Sequence, residues 1–316
     1  MTLPKIGITL GDPGGIGPEV TLKSLSSITS LPHAHYVLFG SRTVIDNERG
    51  ALNFNLSFPQ DSISLHELEG LSAPVKRGKP ISPNGKASFR YFERAVQEAQ
   101  KGKIQAIVTA PVSKQSWNLA GIPWAGHTDY LSQSYPEAIM FFWSENLKVA
   151  LYTHHIPLKQ AIAKIKKKPL FEFILRLHGN MRKLPSHSFQ FLVSGLNPHA
   201  GEQGMMGSEE SEQILPAIEK ARSEGIPIRG PFPPDVVFRD ALNKPDRIVI
   251  ALYHDQGLIP FKLQAFNRGV NLTLGLPFVR TSPDHGTAFD IAGKGIADPE
   301  SMIEAIRLAY RFVFAQ

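Results

Sequence analysis

RIVIALY (247–253) running into HDQGLIPFK (254–262) decides the fold. After Arg247 the first run carries no charge and is β-branched, aliphatic or aromatic, the composition of a strand buried on both faces of a parallel sheet. It then stops at His254, Asp255, Gln256 and Gly257. A hydrophobic strand that hands over an imidazole, a carboxylate and an amide at its end is behaving as strands of open α/β sheets do, because ligands bind beyond their carboxyl ends. Further candidate strands are KIGITL (5–10), HYVLFG (35–40), IQAIVTA (104–110), VALYT (149–153) and FQFLVSGL (189–196). Helical patterns lie between and after them: SFRYFERAVQEAQKG (88–102), SEESEQILPAIEKARSEG (208–225) and DPESMIEAIRLAYRFVF (298–314). Gly102 and Gly225 close the first two, and Asp298-Pro299-Glu300 opens the third. The alternation predicts an α/β protein with a mainly parallel sheet. No repeat, low-complexity tract or linker interrupts it, so a second domain is expected to share the sheet core rather than hang from a tether.

The chain has 316 residues, 42% hydrophobic and 20% charged, the balance of an ordered globular protein. With 34 basic and 28 acidic residues the net charge is +6, dispersed and without aromatic interleaving, which speaks against a nucleic-acid partner and suits an anionic small substrate. The one basic run, KIKKK (164–168), reads as the solvated face of an amphipathic helix. With no cysteine, disulfides, thiolate metal sites, iron–sulfur ligation and a thiol nucleophile are excluded together. No signal-like segment opens the sequence and no apolar run approaches the ~20 residues of a membrane span, so a cytoplasmic protein with no membrane partner is expected.

The segments just past the strands hold the chemistry. GDPGGIGPE (11–19) comes after the first, PVSK (111–114) after the third, HHIPL (154–158) after the fourth, NPHAGEQG (197–204) after the fifth and HDQG (254–257) after the last. Three strands therefore end near a histidine: His154 or His155, His199 and His254. A lone strand-end histidine is ordinarily a loop residue. Three on one sheet edge suit a borderline divalent ion with positions left open for substrate. In extended chain His154 and His155 point to opposite sides, so one of the two serves. GDPGGIGPE suits either an anion at a helix N-terminus or a tight turn, and matches neither G-x-G-x-x-G nor a Walker A loop. In GHTDYL (126–131), Thr128 or Asp129 reads as an N-cap. Arg280, after an apolar stretch, needs an anionic partner, internal or from substrate.

Taken together, GDPGGIGPE, TAPVSK, GHTDYL, THHIPL, GLNPHAGEQG, ALYHDQGLIPFK and TSPDHGTAFDIAGKGIA resemble, in order and spacing, the 4-hydroxythreonine-4-phosphate dehydrogenases of pyridoxal 5′-phosphate biosynthesis. The resemblance runs from residue 5 to about residue 302. It implies two α/β/α subdomains similar to those of isocitrate and isopropylmalate dehydrogenases, residues 1–135 with 260–316 forming the first and 136–259 the second, with dimer contacts on the second and the active site in the cleft. It also implies a homodimer, NAD or NADP, and one divalent metal ion per site. By resemblance the metal ligands are His155, His199 and His254. The substrate contacts are His127, Thr128, Lys262, Asn271 and Arg280, and Asp255 and Asp235 are the catalytic carboxylates. Gly257 is expected to relieve a turn after the strand. The implied reaction oxidises 4-phosphooxy-L-threonine, a phosphorylated hydroxy amino acid, with loss of CO2 to give 3-amino-2-oxopropyl phosphate. Val236 stands where a hydroxyl residue is expected after Asp235, which leaves a second substrate in view: a four-carbon sugar-acid phosphate, or a carboxylated cis-dihydrodiol. A metal-dependent phosphate-ligand binder without hydride transfer is the reading from another class.

Overall fold

The computed structural model describes residues 3–26, 31–52, 62–68, 75–184 and 188–314. By contact the chain divides into two compact units, Met1–Ala138 with Leu276–Phe314, and Ile139–Gly275. The expected second boundary at 259/260 moves to 275/276. The reason is that residues 260–275 finish a helix that packs on strands of the second unit and form a strand paired within it.

The first unit runs β1 (Lys5–Thr9), α1 (Gly17–Ser26), β2 (His35–Gly40), α2 (Arg42–Leu52), β3 (Ile63–Glu67), α3 (Ser82–Gln100), β4 (Ala106–Thr109), α4 (Lys114–Leu119) and α5 (His127–Ser134). The second continues with β5 (Ile139–Trp143), β6 (Lys148–Leu151), α6 (Leu158–Lys164), α7 (Lys167–Met181), β7 (Gln190–Ser194), α8 (Leu215–Ser223), β8 (Ile228–Phe232), α9 (Pro234–Ala241), β9 (Arg247–Ala251), α10 (His254–Ala265) and β10 (Val270–Leu274). The chain then returns to the first unit as β11 (Val279–Pro283) and α11 (Glu300–Val313).

In the first unit the strands lie in the order β3-β2-β1-β4-β11, all parallel. In the second the order is β10-β5-β6-β9-β7-β8. There β5 is antiparallel to both neighbours, while β6, β9, β7 and β8 are parallel. The mainly parallel α/β fold read from the strand–helix alternation is the one observed. The central strands are as apolar as their sequences: Ile248, Val249, Ile250 and Ala251 of β9 are fully buried. Each large aliphatic side chain removed from water there contributes ~1.5–3 kcal/mol. Gly102 and Gly225 adopt positive φ just past α3 and α8, the C-terminal stop that their sequence positions predict.

Two local expectations fail. KIKKK is not one helical face, because Lys164 ends α6 and Lys167 begins α7. Gly257 does not relieve a turn, because α10 already starts at His254. A Cβ on Gly257 would lie 2.7 Å from Leu151 and 2.9 Å from Val149, so glycine here lets the helix lie close on β6.

Candidate functional site

Register brings the histidines to one edge of the second unit. Leu151 pairs with Ala251 between β6 and β9, and Val193 with Ile250 between β7 and β9. The loops carrying His154–His155, His254 and His199 therefore leave three adjacent strands side by side. The rings of His155 and His254 lie 5.5 Å apart with an interplanar angle of 39°. His254 Nδ1 is 2.7 Å from Asp255 Oδ1. A carboxylate at Nδ1 favours the tautomer with its proton there and leaves Nε2 as a lone-pair donor, the usual arrangement of a metal-binding imidazole. Asp255 thus orients His254. Among the described residues no three His, Cys, Asp or Glu side chains converge as one ligand set. The structure brings His155 and His254 together and leaves His199 on the neighbouring loop.

The extended-chain argument for His154 and His155 does not apply, because His155 has φ 48° and the two rings stand edge to face at 5.3 Å. His154 is half-buried. Burial first, then the charges of His254 and Lys164, hold its pKa below the ordinary imidazole value, and its Nδ1 is buried without a partner. Together with Thr153, Ile156, Tyr253, His254 and Asp255 it lines a cavity of about 110 Å³.

The loops are tied by groups that the strand pattern does not reveal. Gln256, buried, accepts from Leu252 N–H at 2.7 Å and donates to Gly195 O at 2.7 Å, fastening the end of β9 to the end of β7. The amide in His-Asp-Gln-Gly therefore works as a cross-brace between the strands that deliver His254 and His199. His199 itself opens five consecutive left-handed residues, His199 to Gln203, with φ between 42° and 81°. Left-handed backbone costs ~1–2 kcal/mol per non-glycine residue, and four of the five are not glycine. Glu210, buried where the π-helical stretch Glu210–Ile214 leads into α8, offsets this. Its Oε1 accepts from the N–H groups of Leu196 and Asn197, both at 2.7 Å, and its Oε2 from Asn197 Nδ2 at 2.9 Å. By sequence Glu210 is one of several acids favouring a helix start. Only its burial shows otherwise.

The remaining sequence-predicted residues of this unit are dispersed. Asp235 is exposed in the first turn of α9, whose helix packs against the turn bearing His199. Lys262 is half-buried on the last turn of α10. Asn271 lies on β10 opposite Phe142, its Oδ1 buried without a partner.

In the first unit Arg280 and His127 form a second constellation. Arg280, 2% exposed on β11, donates from Nη2 to Thr109 Oγ1 at 2.8 Å and lies 3.2 Å from His127 Nδ1. Both of these partners are neutral. Burial lowers the pKa of Arg280 to about 10. His127 begins α5 against Phe92 and Trp117, at ring distances of 4.5 and 5.8 Å. Burial first, and the guanidinium second, hold its pKa well below the ordinary value. With Nδ1 accepting from Arg280 the neutral ring carries its proton on Nε2, which is buried and without a partner. Such a cationic and N–H donor pair with an unfilled bond suits an anionic ligand. Thr128 is half-buried in the first turn beside it. Neither Thr128 nor Asp129 is the N-cap, because Gly126 occupies that position with φ 145°; Asp129 Oδ2 instead accepts from Ala125 N–H at 2.8 Å.

GDPGGIGPE resolves as structure. Residues 11–20 are all buried, and Ile16 N–H donates to Thr287 O at 2.9 Å, so protein rather than an anion fills the start of α1. Asp12 Oδ1 caps Gly14 N–H at 2.9 Å. Glu19 pairs with Lys23 at 2.8 Å and accepts from Ala297 N–H.

A family model described as "Pyridoxal phosphate biosynthetic protein PdxA" matches residues 32–309. A 4-hydroxythreonine-4-phosphate dehydrogenase from Sulfurihydrogenibium sp. is 41% identical over 96% of this chain and 97% of its own length. A provisionally named D-threonate 4-phosphate dehydrogenase from Halalkalibacterium halodurans is 39% identical over 98% and 97%. The crystal structure of 4-hydroxythreonine-4-phosphate dehydrogenase from Klebsiella pneumoniae superposes with a TM-score of 0.86 at 37% identity, covering 98% of both chains. Isocitrate dehydrogenase from Methylococcus capsulatus shares the fold alone, with a TM-score of 0.51 at 15% identity over 98% of this chain and 88% of that one.

Proposed function

Given that the chain belongs to the PdxA family of pyridoxal phosphate biosynthetic proteins, we propose that it is a metal-dependent NAD(P) dehydrogenase of 4-phosphooxy-L-threonine. It oxidises the secondary alcohol and releases CO2 to give 3-amino-2-oxopropyl phosphate. The observation that carries this reading is the pair His155–His254, brought to 5.5 Å at two parallel strand ends with one tautomer set by a carboxylate. That donor chemistry fits a borderline divalent ion. His199 is the third ligand in this reading, delivered by the loop after β7.

His155, His199 and His254 would hold a divalent ion that would supply Lewis acidity, and a bound nicotinamide would supply the hydride acceptor. The chain's own groups do the rest. On the first unit Arg280 and the Nε2–H of His127, with Thr128 beside them, are suited to phosphate oxygens; on the second unit Lys262 and Asn271 are further polar candidates for substrate. Asp255 keeps His254 oriented. Asp235, exposed at the start of α9, is the carboxylate free to take the hydroxyl proton.

NADH formation from 4-phosphooxy-L-threonine is expected to disappear on chelation and to return when a divalent ion is added back. Activity that survives exhaustive chelation would remove the metal from the reading. A second substrate is favoured by a relative of nearly equal identity, the D-threonate 4-phosphate enzyme. Turnover of D-threonate 4-phosphate exceeding that of 4-phosphooxy-L-threonine would select it. A protein that binds either compound and reduces no cofactor would be the binder.

The homodimer belongs to the same proposal. Ile259, Leu263 and Phe266 are 61%, 79% and 73% exposed and spaced to share one face of α10 and its C-cap. An apolar stripe so open is suited to isologous pairing with a second copy. Leu263→Glu is expected to shift the sedimentation coefficient to that of a monomer. An unchanged dimer would place the interface elsewhere.

No helix among the described residues is long and apolar enough to cross a membrane.

A further inference from the structure

The left-handed turn that carries His199 is held by a carboxylate eleven residues downstream. We propose that Glu210 is the positioning residue for His199, fixing the backbone conformation that presents this imidazole at the edge shared with His155 and His254. The proposal rests on the reading of His199 as a metal ligand.

Glu210 is 5% exposed, and both of its oxygens are spent on the segment just upstream of His199. Oε1 receives the consecutive N–H groups of Leu196 and Asn197. Oε2 receives the Asn197 side chain and lies 2.8 Å from where a Cβ on Gly201 would stand. The clamp therefore grips the entrance of the turn and closes over its middle. Asn197 is held a second time by Glu209 Oε2 at 2.8 Å, which is the first cause of the lowered pKa of Glu209.

Four non-glycine residues in the turn would relax to right-handed or extended backbone if released, since L-residues favour those regions. His199, the first of them, would move most directly. The π-helical stretch beginning at Glu210 belongs to the same device, because an extra residue in a helical turn re-aims the side chains at its start, and such turns recur at functional sites. Glu210 is assigned no ligand role, because it is buried and both of its oxygens accept hydrogen bonds from the loop, three in all. It acts on the ion only through His199, as groups behind a ligand do.

The test is equilibrium dialysis of Zn2+ alone, and separately of Mn2+ alone, against the full-length protein and its variants, with far-UV circular dichroism confirming the fold of each. Glu210→Ala is expected to weaken ion binding about 10- to 100-fold. Glu210→Gln keeps an acceptor for the two backbone N–H groups and gives up only the bond from Asn197 Nδ2, which Glu209 still holds, so its loss is expected to be well below that of Glu210→Ala. In a His199→Ala background the Glu210→Ala change is expected to cost nothing further, because the ligand it positions is gone. If His199→Ala weakens binding while Glu210→Ala binds as the wild type does, the proposal is overturned and the ligand reading stands. If Glu210→Ala costs as much in the His199→Ala background as in the wild type, Glu210 acts through general stability and the proposal is overturned. If His199→Ala binds both ions like the wild type, the ligand reading itself fails. Should Glu210→Ala not fold, Glu210→Asp carries the same cycle. It keeps the charge, and one methylene less draws the carboxylate back from both N–H groups.

Discussion

His254→Ala is expected to lose turnover by three orders of magnitude or more, about 4 kcal/mol of transition-state stabilisation, while folding as the wild type does. Its side chain is 38% exposed, so truncation opens no core cavity, and the helix that starts there is held by Gln256, Leu258 and Phe261, all buried. What the variant loses is one of two imidazoles held at 5.5 Å, the one that Asp255 orients. Metal content measured by mass spectrometry, steady-state NADH formation and a thermal melt are the three readings required. Loss of metal and activity with an unchanged melt is the expected set. Full metal content with wild-type kcat/KM would refute the placement of the ion at this edge. Asp255→Asn is expected to fall between the two, because the amide keeps a hydrogen bond to Nδ1 and loses the charge that favours one tautomer.

Arg280→Met is expected to separate activity from stability. The guanidinium is buried against Thr109 and His127, and burial brings its pKa down to about 10. A charge depressed by that much carries a cost on the order of 3 kcal/mol at neutral pH, where it is protonated in both folded and unfolded chains. Methionine of similar length removes that cost and leaves Thr109 Oγ1 and His127 Nδ1 short of a donor, so the melting temperature is expected to change little. Activity is expected to collapse about a thousandfold in kcat/KM, carried mainly by KM for the phosphorylated substrate. A substrate KM unchanged in this variant would remove Arg280 from the phosphate site.

The same pair sets a pH dependence. His127 has a folded pKa well below the unfolded value of about 6.5, so the unfolded chain binds the extra proton first. Stability is full above about pH 6.5 and falls as pH drops below it, by at most ~1.4 kcal/mol per unit for this group. In Arg280→Met the second cause of the depression is gone and burial remains, so the acid loss begins in the same place and is shallower. Urea unfolding of both proteins across this range measures it. A stability that rose on acidification would contradict the buried neutral imidazole.

Much of the fold was written in short-range pattern. Uncharged runs such as Ile248–Ala251 have no stable place except a sheet buried on both faces, and polar groups after each run mark the C-terminal edge where parallel strands deliver chemistry. His254, and the pair His154–His155 without a choice between them, could be placed at that edge because strand ends are local features. Strands lacking such a pattern were not read: β8 holds Gly230 and Pro231, and β3 carries His66 and Glu67 among its five residues.

What only the tertiary structure decided is every property that depends on a distant partner. Glycine is permissive of many conformations, so Gly257 read as a turn residue until the helix was seen lying on Val149 and Leu151. Gln256, in sequence one more polar group at the strand end, is a brace to Gly195, sixty-one residues away. No propensity places His199, Ala200, Glu202 and Gln203 in left-handed backbone. Glu210 does so from outside the turn, by bonds that exist only once the loop after β7 and the π-helical stretch Glu210–Ile214 have packed together. Sequence by itself determined which residue types stand at the edge of the sheet, since hydrophobic burial is set along the chain. Which of them face a ligand and which hold the others in place was decided by packing, because a hydrogen bond between distant residues has no signature in either of its two local sequences.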